Sequence, residues 1–217
     1  KSPQGRTALA LATRRIPPDS MEKLDVSNES EPEPERELVH TRQITCRAFR
    51  LKNGWFEIEA TLSDEKGQRV DFRSRPPVQP GARMHSMLLV LTIDADFLIR
   101  DVRAATLTAP WTMCGGTDDA YRKLIGLRIG SGFTQQMKQR VGGIEGCTHV
   151  TELVAPAANT YMQASWPDRI ARQMAVAADP RQWPDQSAVG FINHCHAWRQ
   201  DGDTLAQEYP ELASPKE

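Results

Sequence analysis

The chain has 217 residues, of which 39% are hydrophobic and 25% charged, which suits one core of ordinary size rather than two full domains. Its 27 Lys and Arg residues balance 28 Asp and Glu residues to a net charge of -1, which argues against a nucleic-acid or membrane partner. The longest apolar run, 87–91, is too short to cross a bilayer, and the first residues lack a signal-peptide pattern. We therefore expect a cytoplasmic protein with a small-molecule substrate, and the sequence leaves homo-oligomer formation open.

The first 38 residues form a segment of distinct composition. Between Ile16 and Glu37 the chain contains repeated prolines, and its last part adds a glutamate at every second position. These residues are Pro17, Pro18, Pro32 and Pro34, and Glu29, Glu31, Glu33, Glu35 and Glu37. Alternating Glu and Pro neither bury apolar area nor support a strand ladder. We predict a disordered extension over residues 1–38 and a single domain over residues 39–217.

Apolar residues alternate with polar ones through the first part of this domain. The alternation runs through Ile44–Phe49 and Phe56–Leu62, separated by turn chemistry at Lys52–Gly54, and returns at Met84–Ile93 and Phe97–Leu107. A short further strand is predicted at Val70–Phe72. The pattern predicts an α+β fold with an antiparallel sheet of four to six strands and helices packed on one face.

The second half of the chain has helical periodicity. We predict a short helix after Asp118 and Asp119, a helix from Phe133 to Val141, a third from Cys147 to about Ala164, and a fourth beginning at Pro167. Phe191–Arg199 and Thr204–Tyr209 are interpreted as extended segments around a turn.

The segment around Cys147 carries the most chemical information. Cys147 follows Gly146 at the predicted helix start, where the positive end of the helix dipole favours a thiolate that serves as nucleophile or metal ligand. His149 and Glu152 are three residues apart, so Glu152 could fix the imidazole tautomer. The alternative is purely structural, with a glycine loop, Thr148 as helix cap and a buried cysteine.

A second group of donors offers a metal site. His196 follows Cys195 and His194, and on a strand the two imidazoles would point the same way. A metal would need further ligands, for which Cys114, Cys147, His149 or His85 are the candidates, whereas Cys46 is assigned to the core. An exposed histidine and one that hydrogen-bonds the backbone would explain the same pattern.

Several motifs together resemble a bacterial family catalogued as domain of unknown function 2889. They are His40–Arg42, Gly54–Ala60, Leu91–Asp94, Tyr121 with Leu124 and Gly126, Gly146–Leu153, and Cys195–Ala197. The resemblance spans about residues 39–210, and its most specific part is the Gly-Cys-Thr-His segment. A fainter similarity to the NifU-type iron-sulphur scaffold implies that Cys114 and Cys147 correspond to two scaffold cysteines, although the middle cysteine of that pattern is missing.

Two functions follow as hypotheses. The first is a lyase or hydrolase without an organic cofactor, in which His149, Glu152, Tyr121, His85 and Cys147 carry acid–base chemistry on an apolar or aromatic substrate. The second is a metal-binding or iron-sulphur carrier module with Cys114, Cys147, His149 and His196 as ligands for zinc or iron.

Overall fold

The fold was analysed in a computed structural model, which describes residues 35–176, 192–193 and 195–214. The chain divides into two units, Lys1–Glu37 and Leu38–Glu217. The predicted disorder of residues 1–38 falls almost wholly outside the described residues. The second unit contains every element discussed below.

In the described part of the chain, four strands form one antiparallel sheet in the order β1-β2-β3-β4. The strands are β1 (His40–Arg50), β2 (Phe56–Lys66), β3 (Arg83–Ile93) and β4 (Ile99–Thr108). The predicted turn at Lys52–Gly54 joins β1 and β2, and Gly54 has a φ of 82°, which a glycine adopts without steric cost. The sheet confirms the predicted α+β class.

The alternating pattern of β2 and β3 sets which sheet face carries the core. Phe56, Ile58, Ala60 and Leu62 are buried on β2, while Glu57 and Glu59 between them are only half-buried. On β3 the buried inner positions are Met87, Leu89, Leu91 and Ile93. A strand places every second side chain on the same face, so the same parity continues outward to Asp64 on β2 and His85 on β3.

Helices cover this inner face. The α-helices are α1 (Phe133–Val141), α2 (Thr148–Ala164), α3 (Trp166–Val176) and α4 (Asp203–Glu208). Helix α2 packs its apolar stripe on the sheet through buried residues that include Val150, Leu153, Val154, Ala157 and Tyr161, and it continues through Pro156. Short 3-10 helices span Thr112–Leu124, Gly143–Glu145, His196–Trp198 and Pro210–Leu212. The predictions for α1, α2 and α3 are confirmed.

Three predicted elements differ from the structure. Val70–Phe72 makes an isolated bridge between Val70 and Val78 rather than a sheet strand, and the helix predicted after Asp118 is part of a longer 3-10 helix. Thr204–Tyr209 is not extended, because Asp203 begins α4 and the buried Leu205 and Tyr209 have the four-residue spacing of a helix.

The segment before α4 also differs from the prediction. Within the described residues of Phe191–Arg199, His196–Trp198 forms a 3-10 helix instead of a strand, and Phe191 and His194 themselves lie outside the described residues. No helix in the described ranges combines the length and apolar character that a bilayer crossing requires.

Candidate functional site

A row of three polar residues crosses the inner face of the sheet at one end. The strand register pairs Arg42 of β1 with Asp64 of β2, and Asp64 in turn with His85 of β3. Directly opposed side chains on one sheet face are close enough to interact. The apolar core thus ends, at this edge, in a cation, a carboxylate and an imidazole.

Asp64 is the centre of this row. It is only 1% exposed, and its two carboxylate oxygens accept hydrogen bonds from Arg42 Nε at 2.7 Å and from the second Arg42 guanidinium nitrogen at 2.8 Å. His85 Nδ1 lies 3.0 Å from Asp64 Oδ2, and His40 Nε2 lies 3.4 Å from Oδ1. A buried carboxylate needs such partners to remain ionised, so Asp64 is held as an anion by its surroundings.

Helix α2 adds a second imidazole above the row. The ring of His149, in the first turn of α2, stacks on that of His85 with centroids 3.7 Å apart and planes inclined by 27°. Its Nε2 is 3.7 Å from Asp64 Oδ2. Two imidazoles from different elements therefore converge on one carboxylate, and we call Arg42, Asp64, His85 and His149 the Asp64 cluster.

The surroundings lower the pKa of Asp64, of His85 and of His149. Hydrogen bonds from Arg42 lower the pKa of Asp64 to about 2, with His85 contributing to the same effect. Burial lowers the pKa of His85, and the charge on His149 lowers it further. Burial also lowers the pKa of His149, assisted by the positive charge of Arg42. Near neutral pH the cluster consequently holds an ionised carboxylate and two neutral imidazoles.

The hydrogen-bond geometry also fixes one tautomer. Ionised Asp64 can only accept hydrogen bonds, so the proton of neutral His85 resides on Nδ1, which donates to Oδ2. The Nε2 atom of His85 then carries a free lone pair. An imidazole oriented by a carboxylate in this way is suited to accept a proton from a bound molecule.

Cys147 lies beside the cluster. It is the residue that immediately precedes the first turn of α2, is half-buried, and its Sγ atom is 3.8 Å from His149 Nδ1. The thiol thus contacts the same imidazole that approaches Asp64 through its other nitrogen. The structure brings Cys147 and His149 together, because Cys147 lies just before the first residue of α2 rather than on the regular helix.

Tyr121 has a different position from the one predicted for proton transfer. It is fully buried, and its hydroxyl accepts a hydrogen bond from the Cys147 amide at 2.9 Å and lies 2.7 Å from the Cys147 carbonyl and 2.8 Å from Thr151 Oγ1. These contacts fix the start of α2. Tyr121 therefore positions the helix end that carries His149, and the described hydrogen bonds of its hydroxyl go to this helix end.

Glu152 also has a different partner from the predicted one. Its carboxylate forms an ion pair and hydrogen bond with Arg42, rather than with the ring of His149. The guanidinium of Arg42 bridges the two carboxylates. Its Nε and one terminal nitrogen bond Asp64, and its other terminal nitrogen bonds Glu152. The carboxylate that approaches both imidazoles is Asp64, whereas Glu152 bonds Arg42 and affects His149 only through its negative charge.

The alternative metal-ligand set is not brought together. Among described residues, the one group of three or more His, Cys, Asp or Glu side chains with potential ligand atoms within 4.8 Å of each other is Asp64, His85 and His149. Cys114 lies in the 3-10 helix Thr112–Leu124, and His196 is exposed in a separate 3-10 helix. Of the four predicted ligands only His149 belongs to the convergent group, because the expected strand around His196 is absent.

Sequence reasoning missed Asp64, although a pattern for it was present. The apolar alternation Phe56, Ile58, Ala60 and Leu62 has the carboxylate of Asp64 at its next inner position. A charged residue in core register is costly to bury unless it is paired, so it marks a site.

Residues 40–163 match the model of a protein family described as "Protein of unknown function (DUF2889)". The chain belongs to this family. The match covers more than half of the 217 residues and confirms the resemblance noted from the motifs. No curated protein and no solved structure matches the chain, and the similarity to the NifU-type scaffold is not shown.

The DUF2889 segment contains the whole Asp64 cluster. It begins at His40, the first residue of β1, and ends one residue before the last residue of α2. Cys147, Tyr121 and Glu152 lie inside it as well, whereas His196 lies outside. The family domain is therefore the four-stranded sheet together with the helix that brings His149 onto it.

Proposed function

We propose that the chain is a small-molecule enzyme of hydrolase or lyase type, which uses histidine acid–base chemistry and no organic cofactor. The observation that carries the proposal is the buried Asp64 carboxylate shared by two stacked imidazoles, His85 and His149. Both have a lowered pKa and are neutral near pH 7, the form in which an imidazole accepts a proton. Perturbed titratable groups that converge in this way are typical of catalytic sites.

The residues have separable roles in this mechanism. His85, oriented by Asp64, takes a proton at Nε2 from substrate or water, and the imidazolium that forms, stabilised by the Asp64 carboxylate, returns that proton to the leaving group. Neutral His149 is a second proton acceptor on the stacked ring. Arg42 keeps Asp64 ionised and is itself held by Glu152, so both are positioning residues. The balanced net charge of the chain favours an apolar or aromatic substrate over a polyanion.

Turnover of a compound panel tests the proposal. We would screen aromatic esters, amides and β-hydroxy carbonyl compounds by NMR for hydrolysis or elimination, and then compare His85→Ala and His149→Ala with the unmodified chain. Loss of a positioned proton-transfer group typically costs about two to four orders of magnitude in rate. His196→Ala is the matched control, because His196 is exposed and outside the cluster.

The expected pH profile follows from the same groups. Activity should fall as pH decreases through the lowered pKa values of the two histidines, since protonation removes the accepting lone pair. Glu152→Gln should reduce the rate less than either histidine variant, because Glu152 holds Arg42 and transfers no proton itself. Full activity in folded His85→Ala and His149→Ala on an identified substrate would refute the proposal.

A divalent metal centre is the second candidate. Asp64, His85 and His149 offer one carboxylate and two imidazoles, a donor set that suits zinc or iron. Against it, Arg42 already bonds both Asp64 oxygens and places a positive charge beside the position a cation would take. We prefer the acid–base proposal because the charge of Arg42 would repel a metal cation bound at Asp64.

Elemental analysis separates the two candidates. Protein purified without a metal-binding tag should hold substoichiometric zinc and iron if the cluster acts as an acid–base pair, and His149→Ala should retain the stability of the fold. A metal centre predicts near one metal per chain, with metal and stability lost together in His149→Ala, because binding free energy at such sites is also folding free energy.

A further inference from the structure

A concave site lies at the end of the sheet opposite the Asp64 cluster. A cleft of about 440 Å³ opens beside the β1–β2 turn and α3, and its walls include Arg50, Asn53, Gly54, Trp55, Asp168 and Arg172. We call it the hairpin cleft. Its volume falls within the range of pockets that take small organic ligands, about 300–1,000 Å³.

The hairpin cleft is separate from the Asp64 cluster. Trp55 immediately precedes β2, whereas Asp64 is close to the last residue of that strand. Nine residues of extended chain at about 3.3 Å each place the two sites roughly 30 Å apart. Whatever binds in the cleft therefore does not touch the two imidazoles.

Positive charge at the cleft exceeds the negative charge that faces it. Arg50 bonds Asp168 at 2.7 Å, but Arg172 has no ion pair within the described part of the chain. Arg169, one turn before Arg172 on α3, likewise has no carboxylate partner there, and its Nε atom is buried without a hydrogen bond. The cleft lining therefore contains two guanidinium groups, Arg50 and Arg172, and one carboxylate, Asp168, and Arg169 lies behind it on α3.

The environment of Arg169 disfavours its positive charge. Its guanidinium carbon lies 5.4 Å from the ring centroid of Phe97 and 5.1 Å from that of Trp166, contacts that partly compensate its burial. Burial lowers the pKa of Arg169, and the neighbouring charge of Arg172 lowers it further. An anion near Arg172 would relieve this repulsion.

The remaining wall of the cleft suits a flat apolar group. Trp55 is half-buried and lines the cleft, and a Cβ built on the neighbouring Gly54 would meet no atom within 4 Å. Arg100 lies over the Trp55 ring, 5.9 Å from its centroid, so a ligand ring would pack on the part of the indole that lines the cleft. Guanidinium groups bind carboxylates and phosphates through paired hydrogen bonds, so the two halves of the cleft complement the two halves of one ligand.

We infer that the hairpin cleft binds a small aromatic anion, with its carboxylate or phosphate on Arg172 and Arg50 and its ring against Trp55. This inference does not depend on the proposed function. It needs no turnover and involves none of the Asp64 cluster residues.

Calorimetric titration of the full chain tests the inference. The probes are phenylacetate, phenyl phosphate, inorganic phosphate and the neutral 2-phenylethanol. We expect the two aromatic anions to compete for one site and the neutral analogue to bind at least about tenfold more weakly, since it lacks the charged contact. The tighter of the two anions identifies the head group, and inorganic phosphate alone should bind more weakly than phenyl phosphate.

Variants locate the binding site. Arg172→Gln should weaken anion binding by about tenfold or more, while Arg73→Gln, an exposed arginine outside the cleft, should leave it unchanged. Asp64→Asn should also bind normally, which separates this result from any failure of the proposed function. Equal affinity for 2-phenylethanol, or equal binding by folded Arg172→Gln and Arg73→Gln, would overturn the inference.

Discussion

Asp64 sets the chemistry of every residue around it. Its carboxylate touches Arg42, His40 and His85 directly and approaches His149, so one buried anion orders four basic side chains. Without it the two imidazoles would stack as neighbours with nothing to fix their tautomers. The residue that sequence patterns placed at the centre, His149, depends on a partner 85 positions earlier in the chain.

The ionisation of the two histidines provides the first prediction. Both should titrate below the usual imidazole pKa of about 6.5, because burial favours the neutral form. His149→Ala should raise the pKa of His85, since it removes a neighbouring charge and admits water. NMR titration of the imidazole Cε1–H signals measures this, and an unchanged His85 titration in the variant would contradict the stacked arrangement.

A matched variant changes the other histidine in the opposite sense. The negative charge of Glu152 raises the pKa of His149, so Glu152→Gln should lower that pKa further. A Glu152→Gln variant in which the His149 pKa rises would show that the electrostatic assignment is wrong.

The cysteines provide a second prediction at this scale. Cys46 packs against the core as predicted, and burial raises the pKa of its thiol, so little of it is thiolate. Cys147 stands at the start of a 17-residue helix and contacts His149. Iodoacetamide should therefore modify Cys147 before Cys46 in the native protein. Mass spectrometry of peptides after short exposures measures the order, and prior modification of Cys46 would refute it.

At the scale of elements, the start of α2 is the feature that links the core to the site. Gly146 permits the close approach: a Cβ there would collide with the Val141 carbonyl and lie 2.9 Å from the Tyr121 hydroxyl. Tyr121 then binds both backbone groups of Cys147. The position of the His149 ring is thus decided one helix turn away by a glycine and a buried tyrosine.

Gly146→Ala tests this link. The added methyl group must displace Tyr121 or the helix start, which should cost about 1–3 kcal/mol of unfolding free energy, the usual range for overpacking. It should also move the His149 and His85 NMR signals. Gly116→Ala is the control, because a Cβ at Gly116 would meet nothing within 4 Å. Equal stability of the two variants in urea unfolding would contradict the close packing of this turn.

At the scale of the whole molecule, the sheet separates two polar sites with an apolar core between them. The carboxylate of Asp64 terminates the core at one end, and the arginines of the hairpin cleft surround the other. Asp64 is the ionised group most deeply placed in this arrangement, with 1% exposure. Its ionisation should therefore be visible in the global stability of the domain.

Asp64→Asn tests that expectation. A carboxyl group whose pKa falls from its usual 3.8 to about 2 on folding stabilises the folded state above about pH 4. That stabilisation is on the order of 2 kcal/mol and is lost as pH falls towards 2. Urea unfolding at pH 7 and at pH 3 should show a smaller pH dependence for Asp64→Asn than for the unmodified chain.

Arg103→Gln gives a control for the loss of a surface ion pair. The side chain of Arg103 is 60% exposed and pairs with Glu57 on the outer face of the sheet, so its removal should change stability by less than about 1 kcal/mol. Identical pH slopes for Asp64→Asn and the unmodified chain would show that Asp64 is not the group responsible.

The sequence by itself determined the elements whose local pattern is strong. Alternation at Phe56–Leu62 and Met84–Ile93, turn residues at Asn53 and Gly54, and four-residue spacing from Phe133 to Val141 predicted strands and helices that the structure confirms. Each pattern is local, because the side-chain period of a strand or helix is visible within a few turns of chain. The segments after residue 190 were wrongly predicted as extended, because they contain too few residues to distinguish a strand period from a helix period.

Only the tertiary structure decided which polar residues meet. The register of β1, β2 and β3 aligns Arg42, Asp64 and His85 across three strands, and the packing of α2 lowers His149 onto them. A sequence gives the spacing along one strand but not the pairing between strands, and a shift of one residue would send Asp64 to the opposite face. Burial, which lowers the pKa of both imidazoles, likewise exists only once the helix covers the sheet.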